Sequence, residues 1–166
     1  MRKGREIIGL PVVSLATGKE IGVVDDILWS HQDSRIRYLV VGDHCIPFSD
    51  ISSIGTDAIT VSGVEVLKVK DEDGDLSELR SVNQTGGELV LSEDGENLGT
   101  LKDVLFDTDE GKLLGYELSA GVVGDLLSGR MIMSPEMVFS WGKESIIAGI
   151  SGSNRGDQGA VSDMPR

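Results

Sequence analysis

Gly18-Lys19-Glu20-Ile21-Gly22-Val23-Val24-Asp25-Asp26-Ile27-Leu28-Trp29 is echoed 77 residues on by Gly95-Glu96-Asn97-Leu98-Gly99-Thr100-Leu101-Lys102-Asp103-Val104-Leu105-Phe106. The same shift aligns Gly9 with Gly86 and Val13 with Val90, and sets Arg35 on Lys112 and Ile36 on Leu113. Six identities fall in this window, against about two expected by chance for ordinary residue usage. A repeat of this length is a duplicated supersecondary unit, so the chain is read as two copies of one fold.

Within each copy the local signals are those of short strands. Val/Ile/Leu segments are bounded by turn chemistry at Ala16-Thr17-Gly18, Glu93-Asp94-Gly95 and Asp109-Glu110-Gly111. Ile36-Arg37-Tyr38-Leu39-Val40-Val41 is β-branched and aromatic, as a half-buried strand should be. No long stretch keeps a 3.6-residue apolar period. The exceptions are one turn of helix at Asp75–Arg80, with Asp75 as N-cap, and a turn near Ala120–Gly129. Five or six short strands in about 65 residues close most economically as a small barrel, which leaves few free edges. The expected fold class is therefore all-β: two tandem small barrels with short helical turns at most.

The organisation expected is repeat one at 1–67, an acidic linker at 68–84, repeat two at 85–150 and a disordered tail at 151–166. Repeat two carries about eight extra residues around Ala120–Gly129, an insertion of the kind that surface loops tolerate.

The 166 residues hold 28 acidic and 15 basic side chains, a formal charge of −13, which disfavours binding to a phosphate backbone. No apolar run is long enough to span a bilayer, and no signal-peptide core follows Met1-Arg2-Lys3. Cys45 stands alone, so no internal disulfide framework exists, and a reducing cytoplasm is the expected location. The acidity is uneven: residues 1–67 carry six basic and nine acidic side chains, residues 85–150 four and twelve.

Gly9-Leu10-Pro11-Val12-Val13-Ser14 with Gly18 to Leu28, its echo from Gly95 to Asp107, and Ile46-Pro47-Phe48-Ser49-Asp50-Ile51 resemble the PRC-barrel family. The resemblance covers about residues 6–67 and 85–150, and repeat two departs from it in having Glu88 where repeat one has Pro11, and in its insertion. The family includes the cytoplasmic domain of the photosynthetic reaction-centre H subunit and the C-terminal domain of the ribosome maturation factor. It also includes stand-alone tandem proteins, which this chain resembles most. The resemblance implies docking or assembly work and no shared catalytic apparatus or cofactor.

The spacing Gly18-x3-Gly22, repeated at Gly95 and Gly99, suits a hairpin turn followed by a close backbone approach. Asp26 and Asp103 are read as structural, accepting backbone N–H groups of a neighbouring turn. Asp26 shares a strand face with Leu28, opposite Ile27 and Trp29.

Candidate chemistry is sparse. His31, His44 and Cys45 could supply a nucleophile and base, but adjacent His44 and Cys45 point to opposite faces of a strand. The reading favoured is an inert buried cysteine with surface histidines. Asp71–Asp75 and Asp107–Gly111 gather carboxylates but lack calcium-loop spacing, and Gly121-Val122-Val123-Gly124 lacks the lysine of a phosphate loop. Val122, Val123, Leu126 and Leu127 in the insertion are the candidate partner-binding residues.

The function expected is a non-enzymatic interaction module that docks on a neutral or basic protein or on a second copy of itself. A ribosomal protein and a basic loop of a membrane complex are partners of that kind, and the latter would place the chain at a membrane periphery without insertion. The alternative is a small-ligand or metal-binding regulator with a pocket between the barrels lined by Trp29, Phe106 or the histidines.

Overall fold

The computed structural model describes residues 1–70, 76–119 and 130–149, with Arg130 and Met131 described by backbone alone. The expected insertion anchors Val122, Val123, Leu126 and Leu127, the acidic run Asp71–Asp75 and the tail lie outside the described residues.

Repeat one opens with β1 (Arg2–Lys3), one helical turn α1 (Gly4–Ile7), β2 (Pro11–Ser14), β3 (Glu20–Val23), β4 (Asp26–Ser30) and β5 (Arg35–Val41). It continues through β6 (His44–Pro47), β7 (Ile51–Ile54), β8 (Ile59–Val61) and β9 (Lys68–Val69). A 3₁₀ turn at Leu76–Glu78 stands where the one-turn helix was expected, and β10 (Arg80–Ser81) follows. Repeat two supplies β11 (Leu89–Ser92), β12 (Asn97–Phe106), β13 (Leu113–Ser119), β14 (Arg130–Met133), β15 (Val138–Trp141) and β16 (Ser145–Ala148). The fold is all-β.

The two compact units do not follow the repeat boundary. Unit one is Met1–Thr85 together with Asp103–Leu114, and unit two is Gly86–Lys102 with Gly115–Arg166. Strands β12 and β13 therefore each contribute to both units, and the turn joining them belongs to the first.

Unit one holds a five-stranded sheet in the order β10-β4-β5-β6-β9 and a four-stranded sheet in the order β3-β2-β8-β7. Its core includes Ile7, Val12, Ile27, Trp29, Leu39, Ile46 and Ile59, all fully buried. Alternation explains the pattern: in β2, Val12 and Ser14 are buried while Pro11 and Val13 are partly exposed. Unit two is built on the order β14-β13-β12-β11-β16-β15, with Val90, Leu101, Tyr116, Leu118, Met133, Ile146 and Ala148 inside. Tyr116 meets Trp141 edge to face at 5.2 Å. In both repeats the first long strand pairs in parallel with the last, Val12 facing Ile59 and Val90 facing Ile146.

Those registers correct the repeat alignment. Val12 and Val90, not Val13 and Val90, are counterparts, since each faces a glycine: Gly22 and Gly99. Gly9 corresponds to Gly87 rather than Gly86, because Gly9 donates to Val24 O and Gly87 to Leu101 O, with φ of 94° and 91°. The shift is 78 before the first hairpin turn and 77 after it, because the turn of repeat two is one residue shorter. Leu39 faces Ile46 and Tyr116 faces Met133, so the insertion amounts to ten residues rather than about eight.

Candidate functional site

The corrected alignment brings out a reciprocal arrangement inside unit one. The segment that leads into each repeat pairs with the aspartate-bearing strand of the other. Arg80 and Ser81 lie against Trp29 and Leu28 of β4, and Arg2 and Lys3 lie against Phe106 and Leu105 of β12. Every partner in one set maps onto its partner in the other, by 78 before the hairpin turn and by 77 after it.

The two signature aspartates hold these segments. Asp103 Oδ2 accepts the Arg5 N–H at 3.1 Å, and Asp26 Oδ1 accepts the Asn83 N–H at 3.0 Å. Each carboxylate also accepts the N–H of the residue after it, Val104 and Ile27, at 2.8 Å. Asp26 takes the Ser81 hydroxyl as well, and Arg5 donates to Thr85 O. Asp103 is 2% exposed. The N–H groups reached at Asn83 and Arg5 lie 57 and 98 residues away, not in a neighbouring turn. Val82, within the stretch whose composition reads as a linker, is fully buried and donates to Ile27 O.

A third reciprocal contact joins the hairpin ends. Arg35 bridges Lys112, with Ile36 N–H donating to Gly111 O and Leu113 N–H to Ser34 O, both at 2.8 Å. Ser34 and Gly111 both adopt the left-handed region, at φ of 54° and 77°. Phe48 packs against Gly111 and stands edge to face with Phe106 at 6.5 Å.

The other candidate residues are dispersed. Trp29 and Phe106 are fully buried and line neither groove described below, whereas His44 is in the lining of the second. Cys45 is fully buried in β6 and His44 beside it is half-buried, on opposite faces of that strand. His31 sits in the turn after β4. Its pKa is lowered from 6.5, first by burial and then by the positive charge of Arg80, with Glu78 acting in the opposite direction.

Among the described residues, unit one has two grooves that stand out. One, of about 520 Å³, has Arg35, Arg37, Tyr38 and Phe48 in its lining together with Asp109 and Glu110. Its arginines are engaged: Arg37 pairs with Asp33 at 2.8 Å and Arg35 donates to Glu110 O at 3.2 Å. The second, of about 410 Å³, lies beside edge strand β3 and has Ile21, Val23, Val41 and Leu67 with Asp25 and Asp43 in its lining. Gly22 belongs to this groove for a steric reason: a Cβ there would stand 2.3 Å from Val41 Cγ1. Asp25 Oδ2 accepts the Gly42 N–H at 2.6 Å, which fixes the turn carrying Asp43. Sequence reasoning misses both grooves, whose walls come from segments far apart in the chain.

The PRC-barrel domain model matches residues 1–68 and again residues 81–150. The chain is also similar to an uncharacterized protein of Bacillus subtilis (strain 168), YrrD. The two are 29% identical over 157 residues, a stretch covering 89% of this chain and 87% of the relative. Among the described residues, no helix is long and apolar enough to cross a membrane.

Proposed function

The chain belongs to the PRC-barrel family, with two such domains in tandem, and from that premise we propose that it is a non-enzymatic docking module. The observation that carries this reading is the set of large apolar side chains held out from strands. Val23 and Val69 in unit one are 39% and 45% exposed, and Ile132 and Phe139 in unit two are 55% and 62% exposed. Exposed apolar groups on a rigid sheet are what a protein partner buries. The buried position of Cys45 adds support, since a thiol without solvent access is a poor nucleophile.

The partner is a neutral or basic protein, or a second copy of the chain, because the net charge of −13 repels acidic surfaces. Val122, Val123, Leu126 and Leu127 of the insertion are the proposed anchor on repeat two, where most of the acidity lies. Proximity cross-linking of the full chain in its native cell tests this. Deleting Gly121–Gly129 should leave the far-ultraviolet spectrum unchanged and weaken capture of the partner. A chain that cross-links to nothing and sediments as a monomer at native concentration overturns the docking reading.

A further inference from the structure

We propose that the open edge of β3 and the groove beside it receive an extended apolar and basic peptide of the partner protein, added as a further strand. This rests on the docking reading above and gives it a place and a chemistry.

Three observations converge on that edge. First, the four-stranded sheet ends at β3, and among the described residues no strand pairs with its outer side. Val24 donates to Leu10 O at 3.0 Å, and Gly22 faces Val12 in the same ladder. By the two-residue alternation of an antiparallel pair, Val23 between them turns its own N–H and C=O away from β2. A peptide strand laid there finds a donor and an acceptor waiting, as in other cases of strand addition to a sheet edge.

Second, the groove beside the edge has an apolar floor. Val41, toward which a Cβ on Gly22 would point, is buried, and Leu67 is half-buried. Alternate side chains of an added strand point to one face, so every second residue of the peptide would enter this floor.

Third, its carboxylates stand without lysine or arginine in the lining. The groove carries Asp25, Asp43 and His44, and Glu20 is exposed on β3 itself. The residues between the apolar positions of the peptide are therefore basic. An edge guarded against self-pairing would carry lysine or proline, and β3 has neither. The groove beside Arg35 and Arg37 lacks these features: both guanidiniums are already engaged, and its walls carry both signs of charge.

The test is an amide chemical-shift titration of the full chain with the capped peptide Lys-Val-Lys-Val-Lys-Val. Shifts should cluster at Gly22, Val23, Val24 and Gly42. The capped Lys-Ser-Lys-Ser-Lys-Ser peptide, equal in charge, should bind at least about tenfold more weakly, because the apolar floor then goes uncovered. Asp43→Lys, at an exposed turn, should weaken the valine peptide by about tenfold through the loss of charge complementarity. Val23→Pro, which removes the outward N–H, should abolish binding. Equal binding of the two peptides, or shifts centred elsewhere, overturns the proposal. If the full chain captures a partner that neither Val23→Pro nor Asp43→Lys affects, docking stands and this edge is not where it happens.

Discussion

Asp103 shows how one side chain can hold a fold together over a long sequence distance. Its carboxylate is buried and accepts N–H groups from Val104 and from Arg5, which belongs to the start of the chain. Asp103→Ala leaves those donors without their acceptor, and a buried unsatisfied donor costs about 1–3 kcal/mol. Urea unfolding should show a loss in that range. Asp26→Ala should cost less, because Asp26 is partly exposed and water can replace it. Equal losses at the two sites would mean that burial does not set the energetics. His31 gives a pH dependence whose sign follows from its surroundings. Its folded pKa lies below 6.5, so the unfolded chain binds the proton more readily. Stability is thus full above the unfolded value and declines as pH falls through 6.5 toward the lower folded value. His31→Gln should flatten that slope in melts between neutral and mildly acidic pH; an unchanged slope would assign it to other groups.

At the scale of elements, the informative feature is the exchange of lead-in segments. β10 lies on β4 and β1 lies on β12, and the start of β5 meets the start of β13 through Ile36 and Leu113. The amide protons of Ile36 and Leu113 close the same pair of hydrogen bonds, so a single opening event should expose both. Hydrogen exchange should give them matching protection, although they belong to different repeats. Protection that differs by more than about tenfold, or 1.4 kcal/mol, would mean that the hairpins open separately. The strands themselves were legible in the residues: Gly18, Gly22, Asp26 and their counterparts keep their spacing because each has a fixed geometric duty. The register was only partly legible. Gly86-Gly87 offers two matches for Gly9, and a valine stands at both Val12 and Val13, so spelling alone could not detect a turn one residue shorter. The exchange was not legible at all. A lead-in segment that pairs with its own repeat or with the other one carries the same residues in the same register, and a symmetric swap leaves no trace in a self-comparison. Groove positions were hidden for a similar reason, since Val41 and Leu67 come beside β3 only through long-range packing.

At the scale of the whole chain, duplication has not produced two separable modules. Unit one is complete only when residues 103–114 have joined residues 1–85. The acidity, the pairing order and the exposed apolar strands fit a scaffold whose business is contact, yet its first contact is with itself. That has a consequence for how the protein is made. A ribosome delivers the first repeat well before the hairpin that finishes it, and some 44 residues separate Lys70 from Leu114. At roughly 5–20 residues per second, the emerging half waits about 2–9 s with Arg2, Lys3 and Ile36 lacking the hairpin that later pairs with them. During that interval the nascent chain offers a sticky, strand-shaped vacancy to its neighbours on the same messenger, and the timing of translation becomes a determinant of whether it closes on itself or on another copy.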